Sequence, residues 1–278
     1  MQANLGGLQL TLLSGARELL EIHARELPQR DELCGAFCGS LALAAAGLSE
    51  RDGEPLDQDT VARIAGSLIS REPDLASLPE GETGRRDYRV QPPTIEDSAV
   101  SGTNCAGVLE AIERLSDESL VALPYAGPWT GAALSAVFEA SASLTRPTSM
   151  IANVATRHLW GAAPRAGQLL AYLLDGADDG PPADWDVGHF VCVFGRLAGM
   201  GGELYGIADT YPSLGTHGVH VQPRDRLARA LARPGMASGG LIVVLAREDA
   251  HTVRAAAEAN GLVEGAWDNG TLTVAPGE

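Results

Sequence analysis

Helical and strand-like patterns are segregated along this chain, and that order restricts the fold more than any other feature of the sequence. Residues 8–27 set Leu12, Leu13, Leu19, Leu20 and Ile22 among charged residues, with Ser14 near the start and Pro28 beyond the end, which predicts an amphipathic helix. Residues 34–46 read as a buried helix, Leu/Ala-rich over 40–46, with Gly47 as its C-terminal cap. Residues 60–70, 106–115, 131–140 and 165–174 read as further helices, interrupted by a short strand over 120–124. The pattern changes at His189. Residues 189–194 and 204–208 are strands joined through a turn at 199–202. Residues 241–245 are apolar at every position, which marks a strand central in its sheet, and 272–274 is a fourth candidate. Helices first and sheet later is an α+β order rather than an alternating one.

At 278 residues, with 45% hydrophobic and 20% charged, the chain can bury one sizeable core. The expectation is a single domain, with a helix-rich lobe over about residues 1–180 and a sheet-rich lobe over about 181–278. A net charge of −16 argues against a nucleic-acid or anionic-membrane binder. Four cysteines are too sparse for a disulfide scaffold, and no basic region followed by an apolar run opens the chain. No uncharged apolar run reaches the length of a bilayer span. A soluble cytoplasmic protein with reduced thiols is expected. Residues 72–98 hold Pro73, Pro79, Gly81, Gly84, Pro92 and Pro93, a long irregular segment of the kind that carries function or covers a cleft.

Three residues could together carry out nucleophilic chemistry. Cys34 follows a polar loop and opens the 34–46 helix, where unpaired backbone N–H groups and the helix dipole favour a thiolate. His189 begins a strand beside the 185–188 loop, where its ring could face a cleft and serve as the base. Asp209 ends the next strand. If the two strands form a hairpin, Asp209 neighbours His189 and can fix its tautomer.

With these positions in view, the chain resembles papain-like cysteine enzymes, in particular the branch containing bacteriocin-leader peptidases and phytochelatin synthases. In that branch a Gln precedes a Cys-Gly that opens the central helix, followed much later by a His-Phe-Val strand and an Asp before a turn. The matching residues are Gln29, Cys34-Gly35, His189-Phe190-Val191 and Asp209-Thr210-Tyr211-Pro212. The resemblance implies a papain-like fold, a Cys34–His189–Asp209 triad, a thioester acyl-enzyme and no cofactor. It also implies Gln29 as oxyanion-hole donor, although Gln29 lies five residues before Cys34 where the family usually has six. By analogy with condensing enzymes of lincosamide assembly, it implies amide-bond formation in natural-product biosynthesis. The acyl group would pass from an acyl or peptidyl carrier protein to a small-molecule amine. A peptidase or amidase acting on a small peptide is the alternative, and a non-catalytic binding module is a third reading. Arg85, Arg86 and Arg89, or Arg224, Arg226 and Arg229, are candidates for docking an acidic carrier.

Each residue also has a plainer role. Cys38 and Cys192 suit core packing. Cys34 and Cys38 with His189 make a poor zinc signature, so no metal is expected. Cys105 also precedes a helix and is the rival nucleophile, but no Gln precedes it. Trp129 could wall a cleft or sit buried in a turn. Tyr211 and His217 are candidates for contacting substrate, and His217 and His220 could equally be loop residues.

Overall fold

The computed structural model describes residues 2–161 and 163–273. In chain order these form β1 (Gln2–Leu5), β2 (Leu8–Leu12), α1 (Ala16–Glu26), α2 (Cys34–Ala45), β3 (Glu50–Arg51), β4 (Glu54–Pro55), α3 (Gln58–Ala65), β5 (Ile69–Ser70), β6 (Thr94–Ile95) and α4 (Cys105–Leu115). There follow β7 (Leu120–Ala126), α5 (Gly131–Ala142), β8 (Ser149–Ala155), α6 (Ala166–Asp175), β9 (Gly188–Ala198), β10 (Glu203–Ala208), β11 (Val219–Pro223), α7 (Arg224–Ala232), β12 (Gly240–Ala246), α8 (Ala250–Ala259) and β13 (Val263–Glu264). The class is α+β, with a main sheet of nine strands whose pairings are antiparallel.

The sheet runs β1-β2-β9-β8-β12-β7-β13, with β10 and β11 added on β9. β12 lies between β7 and β8, the central position expected from its unbroken apolar run. Its side chains alternate between two cores. Leu241, Val243 and Leu245 pack with residues of α5, α7 and α8, while Ile242 and Val244 face residues of α2, α3 and α4. Each such buried side chain contributes about 1.5–3 kcal/mol of transfer free energy.

α2 is apolar all round, and a helix of that kind has to be buried on every side. Two glycines let its neighbours close in. A Cβ at Gly35 would lie 3.0 Å from Thr103 Cβ and 3.2 Å from Phe190 Cδ2, and one at Gly39 would lie 3.1 Å from Val61 Cγ1. Gly47, at φ 85°, supplies the left-handed residue that ends the helix, as the sequence predicts.

Several elements differ from the sequence expectation. Residues 8–12 are not the start of a helix but β2, because Gly6 and Gly7 turn the chain at positive φ and pair it with β1. The 60–70 helix is α3, shifted to Gln58–Ala65. Asp57 caps it by accepting from Thr60 N at 2.9 Å, and Gly66 ends it at φ 64°. Residues 271–273 form no strand, and Val274 lies outside the described residues. The helix-rich and sheet-rich stretches share one sheet, since β1, β2, β7 and β8 all precede residue 180.

Candidate active site

α2, β9 and the end of β10 meet at one end of the sheet. The β9–β10 hairpin forms as anticipated, with Ala208 opposite Cys192, so Asp209 runs on toward the start of β9. His189 Nε2 and Asp209 Oδ1 are 3.0 Å apart, and both side chains are buried. The other ring nitrogen is left for Cys34, whose thiol is hydrogen-bonded to the His189 side chain. The first turn of α2 has no side-chain cap, and backbone N–H groups of Gly35 and Phe190 are directed at the sulfur. Cys34, part-buried, is the least enclosed of the four free cysteines.

The electrostatics follow from this geometry. Burial pushes the Cys34 thiol up, but the hydrogen bond and charge of His189 outweigh it and hold the thiol below its usual range. Burial pushes His189 down, but the Asp209 carboxylate overrides it and raises the imidazole to about 10. Burial likewise pushes Asp209 up, and the His189 charge outweighs it, holding the carboxyl well below the usual range. Both shifts run toward a thiolate–imidazolium pair, the state that suits nucleophilic attack followed by proton return.

This sets the expected pH dependence. Alkylation of Cys34 by iodoacetamide should already be fast at pH 7, and any step that needs a proton from His189 should decline as pH rises through about 10. His189 is raised on folding, so its stabilising contribution is complete below its ordinary 6.5 and is lost as pH climbs through about 10. Asp209 is lowered, so its contribution is present above its ordinary 3.8 and is lost as pH falls below that. A pH series of alkylation rates with parallel melting curves checks both. An alkylation rate that climbs about tenfold per pH unit from 6 to 8.5, as for a free thiol, would contradict the ion pair.

Asp209 is held more firmly than the sequence suggested. Thr210 N donates to its Oδ1 at 2.7 Å, and His220 Nε2 lies 3.1 Å from its Oδ2. Gln222 Nε2 donates to His220 Nδ1 at 3.1 Å, which leaves the His220 Nε2–H for Asp209. Gln222 is itself fixed by the Trp160 backbone, with Trp160 N donating to Oε1 at 2.7 Å and Nε2 donating to Trp160 O at 3.0 Å. The buried His23 of α1 contacts the Asp209 carbonyl through its Nε2 at 2.5 Å. A continuous chain therefore runs from the Trp160 backbone through Gln222, His220, Asp209 and His189 to Cys34.

Other predicted residues divide into two groups. Gln29 and Tyr211 line the same cleft as Cys34 and His189, a space of about 440 Å³. Tyr211 stacks on His189 with ring centroids 5.9 Å apart, and Gln29 Nε2 donates to its hydroxyl at 2.9 Å. Trp129 is not in the cleft. It is buried in the core beneath α5, because the chain turns inward after β7. His217 is also absent from the cleft; it is exposed in the turn before β11, at φ 51°. Its neighbour in sequence, His220, is the one that reaches the cluster. Trp185, unassigned from sequence, packs edge-on against His189 at 4.8 Å and donates from Nε1 to Ser77 O at 2.8 Å. Asp74, Ser77 and Leu78 of the 72–98 segment thus form one wall of the cleft.

Cys105 is fully buried, and burial pushes its thiol up to about 12, which removes the rival nucleophile. Cys38 and Cys192 are buried against each other's segments. Among the described residues no three His, Cys, Asp or Glu side chains converge as a metal site, and no helix is long and apolar enough to cross a membrane.

A family profile, described as a family of unknown function (DUF6885), matches residues 13–268. The chain belongs to that family. No curated protein gives a significant match. The span shared with DUF6885 contains Gln29, Cys34, His189, Asp209 and His220, so the whole cluster lies within the region that defines the family.

Proposed function

We propose that this DUF6885 protein is a papain-like cysteine acyltransferase, with Cys34 as nucleophile, His189 as base and acid, and Asp209 as the residue that orients it. The observation that carries the reading is the buried His189–Asp209 pair hydrogen-bonded to a thiol at an uncapped helix N-terminus. The thiolate attacks an acyl carbon, the tetrahedral oxyanion collapses to a thioester as His189 protonates the leaving group, and an acceptor resolves the thioester. Gln29 suits the oxyanion donor. Its Oε1 is buried without a partner. Exchanging amide oxygen and nitrogen lets Tyr211 O–H donate to Oε1 and frees an N–H for the cleft.

The acceptor in this reading is an amine. Residues of the 72–98 segment, tied to Trp185 through Ser77 O, line one side of the cleft, which supports this reading because a transferase has to limit the access of water to its thioester. A carrier-protein thioester remains the donor by analogy alone, because most of the candidate docking arginines are turned to intramolecular tasks. Arg85 pairs with Asp87, Arg89 with Asp57 and Glu54, Arg226 with Asp178 and Arg224 with Asp225.

The test is an intact-mass and product assay with aminoacyl thioesters, carried on a carrier protein or on a small thiol, with and without a panel of primary amines. The expected result is an acyl adduct on Cys34 that is discharged to amide faster than to free acid. Faster release of acid across the panel, or rapid cleavage of plain peptides, would assign a hydrolase instead. No adduct on Cys34 with any thioester would overturn the cysteine chemistry itself.

A further inference from the structure

Three arginines are buried among the described residues: Arg30, Arg196 and Arg233. Arg30 meets Asp59 at 2.9 Å, and Arg196 meets Glu139 at 3.0 Å and Glu203 at 3.3 Å. Arg233, 4% exposed, meets no carboxylate among the described residues. Its Nη1 is occupied by the Asn153 side-chain oxygen at 2.5 Å and by Ser238 O at 2.9 Å. Its Nε is buried with no acceptor, and Nη2 makes no hydrogen bond among the described residues. These two nitrogens form one edge of the guanidinium, the edge that matches a carboxylate with two parallel hydrogen bonds.

The fold makes room for this side chain at some cost. Arg233 ends α7 in the left-handed region, φ 45° and ψ 51°, which disfavours a residue with a Cβ. A Cβ at Gly239 would fall 2.2 Å from Arg233 Cδ, and one at Gly188 would fall 2.3 Å from Nη2. Gly188 immediately precedes His189, so the unpaired guanidinium edge lies against the segment that carries the base. Arg233, Asn153 and Gly188 all line the cleft that holds Cys34. Burial lowers the guanidinium from its ordinary range, and the negative charge of an ionised Cys34 acts in the opposite direction. A cation kept out of water with three of its five N–H donors unused is costly unless a ligand supplies the acceptor.

We propose that Arg233, braced by Asn153, is a carboxylate-binding subsite of the candidate active site, and that the substrate carries a carboxylate near its reacting carbon. This rests on Cys34 being the nucleophile in this cleft, and the test separates the two claims. Iodoacetate and iodoacetamide differ by a carboxylate against a neutral amide. Each loses iodide to the thiolate and leaves a carbon–sulfur bond, with the thiol proton already on His189. The rates of Cys34 alkylation by both reagents are measured on the full chain, on Arg233→Gln and on Asn153→Asp. The aspartate gives Arg233 an internal carboxylate with little change of shape.

The iodoacetate-to-iodoacetamide rate ratio is expected to fall about tenfold in both variants, the loss of one charge-assisted contact. A change of less than about threefold in the folded variants overturns the subsite, because a guanidinium that served only the thiolate would slow both reagents equally. If Arg233→Gln does not fold, Asn153→Asp decides alone. If Cys34 of the unaltered protein is inert to both reagents, the nucleophile assignment fails and the subsite fails with it.

Discussion

Cys34→Ala should lower acyl transfer by about four to six orders of magnitude while leaving the melting temperature nearly unchanged. Among the described residues Cys34 carries the only thiol lining the cleft, and under the proposed mechanism the cost of losing one member of such a unit approaches that of losing all of it. The fold should tolerate the change, since alanine favours a helix and Cys34 is only part-buried. The check is paired: single-turnover kinetics with a thioester, and thermal unfolding of the same preparation. Retention of more than about a hundredth of the activity would show that the chemistry does not pass through this thiol.

Asp209→Asn should cost about 10⁴-fold in kcat. An amide can present its N–H to His189 Nε2, which stabilises the wrong tautomer and removes the charge that holds the imidazole at about 10. The alkaline limb of the rate profile should move down by several pH units. The thiolate should become scarcer at pH 7, visible as slower alkylation and weaker ultraviolet absorbance. His220→Phe probes the next link. It removes one charge-assisted hydrogen bond from Asp209 but leaves those from His189 and Thr210, so kcat should fall only about tenfold to a hundredfold. Asp209 stays ionised in this variant, so the alkaline limb should not move down as it does in Asp209→Asn. An unaltered kcat in His220→Phe would reduce His220 to a packing role.

What the sequence revealed and what it hid have physical reasons. The helix at Cys34, the strand at His189 and the β9–β10 hairpin were legible because each is local: an apolar helix, a β-branched run, a glycine-rich turn. Their convergence followed from hairpin geometry alone. β8 was invisible because it is buried on every residue and so carries no alternation, and its Asn153 interrupts the apolar run. β11 did alternate, as Val219, His220, Val221 and Gln222, but with inverted sense. The polar residues point inward to the Asp209 cluster and the valines are half-buried, so a rule that places apolar side chains inside assigns the segment to a loop. Gly6-Gly7 before Leu8-Gln9-Leu10-Thr11-Leu12 was a readable hairpin signal, masked by the helical spacing farther on. Arg233 gave no signal, because nothing in its neighbours in sequence tells a buried arginine from an exposed one.

The place of β12 has a consequence for how the protein is made. β7 and β8 are synthesised early, yet the strand that joins them is translated after residue 239. A growing chain therefore holds two apolar strands with an empty slot between them, each offering an open edge to any passing strand. The thiol of Cys34 emerges from the ribosome long before β9 and β10 bring it His189 and Asp209. Chains that stop before β9 and β10 therefore carry Cys34 without His189 or Asp209, and chains that stop before β12 carry all three residues on a sheet whose central slot is still empty.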